Sequence, residues 1–328
     1  AMTTINKSDA VQALQDAGNL DALYRAIAPL NMTPGWIERE KPLLRPEPDT
    51  GFLPTHWRYS DCKAALDAAS RLINTDLAER RNMVLRNPAE GNDYATTKTQ
   101  VNAYQTILPG EEARSHRHTP HALRVIIEAE GSFSVVNGDK HPMETGDIVL
   151  TPGWSWHGHG HDGDAPAYWL DGLDVPLTAL LEPMFFEPHP DGYAKVDRVT
   201  PDSPYRFTWE TIQARLDGAS PDDEGYFGRR IGLEADEMPT IAITVERLEA
   251  GQTTRRYRHS ANTVFSPMMG AGTSRIGDDE FSWGRGDCVA APIWHWIEHR
   301  AEEDTVLFSM SDENLMRYAN YYRFEGAE

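Results

Sequence analysis

The chain has 328 residues, enough for two ordinary domains, and its 40% hydrophobic and 25% charged content is that of a soluble globular protein. Basic side chains number 31 against 51 acidic ones, and the formal charge of −20 argues against nucleic acid or anionic membrane as a partner. Two cysteines far apart, Cys62 and Cys288, exclude a disulfide framework and a thiolate metal cluster and suit a reducing cytoplasm; no apolar run is long enough to span a bilayer.

In chain order, the first hundred residues read as helices and extended arms. Apolar spacing predicts a helix through DAVQALQDAGNLDALYRAI, capped by Ser8, and a second through DCKAALDAASRLI, capped by Ser60. RNMVL, Arg81 to Leu85, alternates like a short strand and stops at Asn87-Pro88. From Val101 the texture changes to short strands separated by glycine and proline: VNAYQTIL, ALRVIIE, GSFSVV, DIVLT and AYWL. That rhythm predicts a β-sandwich or barrel. A partly helical connection, PLTALLEPMFFE, a proline-rich stretch and a helix at FTWETIQARL follow, and strands resume at TIAITVERL.

The second strand region repeats the first. Gly110, five residues, His116-Arg117-His118 aligns with Gly251, five residues, Tyr257-Arg258-His259. At the same offset of 140 to 141 residues, Gly146-Asp147 falls on Gly286-Asp287 and Pro152-x-Trp154-x-Trp156 on Pro292-x-Trp294-x-Trp296. Shared Gly-Asp turns are common in β proteins, but the Pro-x-Trp-x-Trp match is not. An internal duplication of one barrel accounts for both. The expected organisation is an arm at 1–95, a first barrel at 96–180, a linker with a helix at 181–235 and a second barrel at 236–328.

PGEEARSHRHTPHALR, Pro109 to Arg124, sets three histidines among arginines in an acidic chain. Either this is a solvated basic face or it is a metal site. His116 and His118 are two residues apart, so on a strand they share a face, and inside a barrel both rings can converge on one point. His157 in TPGWSWHGHG is the third candidate, on a later strand that can return beside the first. His159 can share its face and serve in a supporting or acid–base role. His121 and His161 are expected toward solvent or the outer shell, without a role.

This arrangement resembles the cupin pattern, a glycine, five residues and His-x-His, followed later by a glycine, five residues and Pro-x-x-x-x-His. Gly110 to His118 matches the first part, and Gly146 to His157 the second, favouring a metal site over a basic face. At the place of the usual cupin glutamate stands Arg124. Three neutral histidines then leave a divalent charge uncompensated, which suits an anionic chelating ligand, and Arg124 adds a forked donor for a carboxylate. In the second copy Tyr257, Ile297 and Phe265 stand for His116, His157 and Arg124, leaving only His259 of the three histidines and His299 as the match of His159. One metal per chain is expected.

The phrases LAERRNMVLRNP, PGEEARSHRHTPHALR, GDIVLTPGWSWHGHG and YWLDGLDVPL resemble the gentisate 1,2-dioxygenases and their salicylate and 1-hydroxy-2-naphthoate relatives. The resemblance implies a mainly β bicupin of two jelly-roll barrels, with N-terminal helices and a partly helical linker. It also implies Fe(II) at His116, His118 and His157, and a cytoplasmic homotetramer. The implied substrate is an aromatic 2-hydroxy acid, gentisate first and salicylate, 5-nitrosalicylate or 1-hydroxy-2-naphthoate next, opened by O2 between the carboxyl-bearing and hydroxyl-bearing carbons. By the same resemblance Arg80, Arg124 and His159 hold the substrate's carboxylate or hydroxyl. Arg81 competes with Arg80, because a strand sends only one of the two inward. Gln105 is a pocket contact, and Asp171 either orients a neighbouring group or caps its turn. Two other classes stand against this reading: a non-catalytic binding cupin, and a metal-dependent isomerase or decarboxylase, which ordinarily keeps the glutamate.

Overall fold

The computed structural model describes residues 7–75, 78 and 80–327. Residues 1–48 and 49–328 form two compact units. In the first, the single helix expected from the periodicity is two, α1 (Lys7–Gln15) and α2 (Leu20–Ile27). The break falls at Gly18-Asn19, where Asn19 is extended and its side chain accepts the Ala22 amide at 2.9 Å, restarting the helix. Ser8 lies within α1, and its side chain is outside the described residues, as are Leu77 and Glu79 of the LAERRNMVLRNP phrase.

The larger unit holds both barrels. Its four sheets are two six-stranded layers that face each other and two outer layers that close the barrels. On the strand Ala122–Glu128 every second side chain, Leu123, Val125 and Ile127, enters one core shared by the two barrels. Tyr104, Ile148 and Leu170 join it from the first barrel, and Ile243, Val245, Val264, Phe308 and Met310 from the second. The alternate residues, Arg124 and Ile126, face the first barrel's interior. Ile126 meets Ile107, Met143, Val149 and Trp169 there. The second interior holds an apolar cluster built on Tyr257, Phe265, Ile276, Ile297 and Leu307, beside buried His259 and His299.

Strand pairing crosses the boundaries that composition suggests at 95 and 235. Thr55–Trp57, ahead of the first barrel, pairs with Cys288–Ala291 of the second. Arg206–Phe207, ahead of the second, pairs with Ile148–Thr151 of the first. The proline-rich connection also adds Phe186–Pro188 and Arg198–Val199 to the first barrel's outer sheet, strands that its composition hid.

Each exchanged strand leads into a helix that docks on the repeated Gly-Asp turn. The helix α3 (Tyr59–Leu72) presents the Tyr59 amide to Asp287 at 2.8 Å, and α5 (Trp209–Gly218) presents the Trp209 amide to Asp147 at 3.1 Å. Ser60 therefore lies inside α3, and the cap comes from the other barrel. The same aspartates hold His56 at 2.9 Å and Arg206 at 2.7 Å. Gly146 and Gly286 have φ of +91° and +85°, and a Cβ at either position would meet Trp209 at 2.9 Å or Tyr59 at 3.0 Å. The repeated Gly-Asp is thus the seat of an exchanged helix.

The repeated tryptophans have an equally local cause. Arg117, between His116 and His118, points outward and stacks on Trp154 and Trp156 at 4.3 and 4.5 Å. Arg258 does the same on Trp294 and Trp296 at 4.5 and 4.8 Å. The short helix α4 (Val175–Leu181) leaves the first barrel, and α6 (Glu313–Tyr318) follows the last long strand of the second. Among the described residues no helix is long and apolar enough to cross a membrane.

Three histidines outside the expected metal group, His141, His259 and His299, are buried, and burial pulls each from 6.5 to about 4. The unfolded chain takes up protons there before the folded chain can. The histidines' contribution to stability is therefore full above pH 6.5 and is lost as pH falls toward 4. Thermal unfolding followed at stepped pH through that window should show a falling midpoint, and a flat midpoint contradicts it.

Candidate metal centre

His116 and His118 lie on the strand Glu112–His118, and His157 opens the strand His157–His161 beside it, directly opposite His116. Their ring centroids are 4.6 to 5.3 Å apart, and one nitrogen of each lies within 4.8 Å of the others. Among the described residues this is the one His/Cys/Asp/Glu group that could hold a metal ion. The sequence-predicted triad is therefore assembled in space.

The donors are prepared for a cation. His118 Nδ1 lies 2.8 Å from the Pro120 carbonyl and His157 Nδ1 3.0 Å from the Ser155 carbonyl. A carbonyl only accepts, so each Nδ1 carries the proton and each Nε2 keeps its lone pair. Burial, then the neighbouring Arg80, lowers His116 to about 2; burial lowers His118 to about 4 and His157 well below its ordinary value. Neutral imidazoles suit a divalent transition metal, the lone pair being free on Nε2 of His118 and His157, and among the described residues no carboxylate joins the three.

Around the triad the interior is cationic. Arg124 is buried and donates to Thr151 Oγ1 at 2.7 Å. Its Nε lies 3.2 Å from Asp171 Oδ1, an ion pair whose N–H is not aligned for a hydrogen bond. Burial pulls Arg124 down to about 10 and pushes the Asp171 carboxyl up, and each opposes the other's shift. Asp171, inside the strand Ala167–Leu173, also accepts the Trp169 indole N–H at 3.1 Å.

Arg80 lies 3.0 Å from His116 Nδ1 and also donates to the Arg114 carbonyl at 3.3 Å. Arg81 is buried elsewhere, bound to Glu111 and to the Ile73 carbonyl. Of the two competing arginines, Arg80 is the one brought to the triad. Gln105 is buried on Val101–Ile107, opposite Trp169.

His159 lies on the face of His157, with ring centroids 6.1 Å apart, and packs edge-on to Trp169 at 5.7 Å. Contrary to expectation, His161 is buried and bonded to the Ala165 carbonyl, because it shares the inward face of His157 and His159 at the far end of the strand. His121 has a structural task, accepting the Gly153 amide at 2.8 Å. Two neighbours carried no sequence signal. Phe186 stands 5.0 Å from the His116 ring, and Ser134 lies 3.1 Å from His159 Nδ1. In the second barrel Tyr257 and Ile297 pair directly across the strands where His116 and His157 pair in the first.

Residues 103–174 match the model of the cupin domain. The chain is 31% identical to gentisate 1,2-dioxygenase 1 of Aquipseudomonas alcaligenes, over 92% of this chain and 94% of that protein. The chain belongs to the gentisate and salicylate 1,2-dioxygenase family. Within that family it is also 32% identical to the 5-aminosalicylate 1,2-dioxygenase of a Comamonas species, over 93% of this chain and 90% of the relative. The salicylate 1,2-dioxygenase of Pseudaminobacter salicylatoxidans superposes with a TM-score of 0.84 at 27% identity, over 95% of this chain and 99% of that one. The bicupin architecture read from the duplication is thus that of the ring-cleaving dioxygenases, which sets aside the non-catalytic and isomerase readings.

Proposed function

We propose that this protein is an Fe(II)-dependent dioxygenase that opens an aromatic 2-hydroxy acid, gentisate first, between the carboxyl-bearing and hydroxyl-bearing carbons. The observation that carries the reading is an all-histidine triad with an arginine, Arg124, buried beside it where a carboxylate ligand is usual. His116, His118 and His157 hold one iron per chain, in the barrel at 96–180. The barrel at 236–328, with Tyr257 and Ile297 in place of two ligands, is scaffold. Iron held by these three histidines would supply a Lewis-acid centre for a chelating hydroxy-carboxylate and a path for electrons to dioxygen.

The protein's own groups select and orient the substrate. Arg80 and Arg124 bind the carboxylate, Asp171 holds Arg124 in place, Gln105 lines the ring pocket, and His159 meets the hydroxyl side. Arg80 donates to His116 Nδ1 at 3.0 Å; with a metal on Nε2 the His116 proton would sit on Nδ1, and Arg80 would turn to the substrate carboxylate. A homotetramer in the cytoplasm completes the reading, on the resemblance stated above.

A second reading, a 5-substituted salicylate, is favoured by the 32% identity to a 5-aminosalicylate enzyme. Oxygen uptake separates them when initial rates are compared at equal concentrations of gentisate, salicylate, 5-aminosalicylate, 5-nitrosalicylate and catechol. Ring opening of gentisate or a 5-substituted salicylate is expected, and none of catechol, because catechol has no carboxylate for the arginines to hold. Catechol turnover as fast as the best hydroxy acid contradicts the carboxylate clamp. A best rate on a 5-substituted salicylate selects the second reading.

A further inference from the structure

His159 has one ring edge tied down and the other free. Nδ1 lies 3.1 Å from Ser134 Oγ on the adjacent strand, while Nε2 is buried without a hydrogen-bond partner among the described residues. Ser134 Oγ also donates to the Gly158 carbonyl at 3.4 Å. A hydroxyl has one proton, and a carbonyl can only accept. Both contacts are satisfied together only when the Ser134 proton goes to Gly158 and Nδ1–H donates to the Ser134 oxygen. Nε2 then presents a lone pair to the barrel interior.

The second barrel repeats the pair with the opposite wiring. His299 Nδ1 lies 2.6 Å from Ser274 Oγ, and the Trp283 indole N–H donates to that same oxygen at 2.8 Å. Among the described residues Ser274 has no carbonyl to receive its proton, so it donates to Nδ1, and the His299 proton sits on Nε2. There Nε2 is buried without a partner, and the ring packs against Phe265, 4.6 Å away, where the first barrel has Arg124.

We propose that Ser134 is a positioning residue that fixes the tautomer of His159, so that Nε2 accepts a hydrogen bond from the substrate's phenolic O–H. This rests on the hydroxy-acid reading above and deepens it. Carboxylate oxygens can only accept and are met by the guanidinium donors of Arg80 and Arg124. The hydroxyl is the one group of the chelating pair that brings a proton, and a lone pair at His159 Nε2 is its complement. The substrate is thereby oriented with its carboxylate toward the arginines and its hydroxyl toward His159. A pocket of donors alone would not distinguish the two arms.

Neutron diffraction from deuterium-exchanged crystals of the iron-loaded, substrate-free protein tests the wiring directly. The expected map has deuterium on His159 Nδ1 and on His299 Nε2; deuterium on His159 Nε2 overturns the proposal. Kinetics supply the second arm. Ser134→Ala should retain iron and lose about ten- to a hundredfold in kcat with a smaller change in KM, the scale seen when a supporting partner is removed. Ser274→Ala should leave kcat unchanged. An iron-replete Ser134→Ala enzyme with undiminished kcat overturns the positioning role. If that variant does not fold, the neutron map of the unaltered protein decides. If no hydroxy acid is opened at all, the functional reading fails while the map still reports the tautomer.

Discussion

His118→Ala is expected to lose its iron and to lose ring-opening activity by at least about a thousandfold, since weakened support of a ligand alone costs about ten- to a hundredfold. Two imidazoles on adjacent strands remain, and among the described residues no further His, Cys, Asp or Glu joins them as a ligand group. The His118 ring is only partly buried and is held by one bond to the Pro120 carbonyl, so the metal-free variant should unfold close to the metal-free parent. The loss is thus of metal and not of fold. His259→Ala removes the counterpart in the second barrel and should leave iron content unchanged. Metal counting by plasma mass spectrometry after anaerobic reconstitution checks both. Retained stoichiometric iron in His118→Ala, or its loss in His259→Ala, would place the site elsewhere.

Arg124→Ala carries the second large effect, and it has two parts. The substrate clamp loses a charge-assisted bond, which weakens hydroxy-acid binding by about 1.5–3 kcal/mol. Asp171, buried and 3.2 Å from Arg124, also loses its counter-charge, and breaking such a buried pair costs about 3–5 kcal/mol of stability. The single variant therefore confuses binding with folding. Arg124→Gln combined with Asp171→Asn removes both charges, and Asn can still accept the Trp169 N–H that Asp171 accepts at 3.1 Å. The double variant should recover most of the lost melting temperature and none of the lost affinity. Unchanged substrate affinity in that folded double variant would confine Arg124 to a structural ion pair.

The duplication gives the two barrels different burdens. Both retain the devices that hold the fold: the Gly-Asp turn that seats the exchanged helix, and the arginine stacked on two indoles. Only the first retains converging histidines and a buried arginine. In the second, Tyr257, Phe265 and Ile297 fill that volume with apolar surface, and the site becomes core.

What the sequence determined by itself was everything with a local period. Two-residue spacing put His116 with His118 and His157 with His159 on inward faces. Turn-residue rhythm marked the barrels, and a constant offset showed the duplication together with the loss of the triad in its second half. Arg124 was legible because it stands where the cupin pattern has its glutamate. Tertiary structure alone decided the choices between residues that are distant in sequence or equivalent in pattern. Arg80 and Arg81 are adjacent and chemically identical, and only the position of Glu111, which takes Arg81, separates them. Ser60 sits where a cap is expected, but Asp287 of the other barrel holds the Tyr59 amide. The strands Thr55–Trp57 and Arg206–Phe207 are too short for alternation to assign, and each finds its partner across the molecule. Ser134 meets His159 only because their strands are neighbours in one sheet. These are contacts between chain segments, set by register and packing, and a single segment's periodicity carries no record of them.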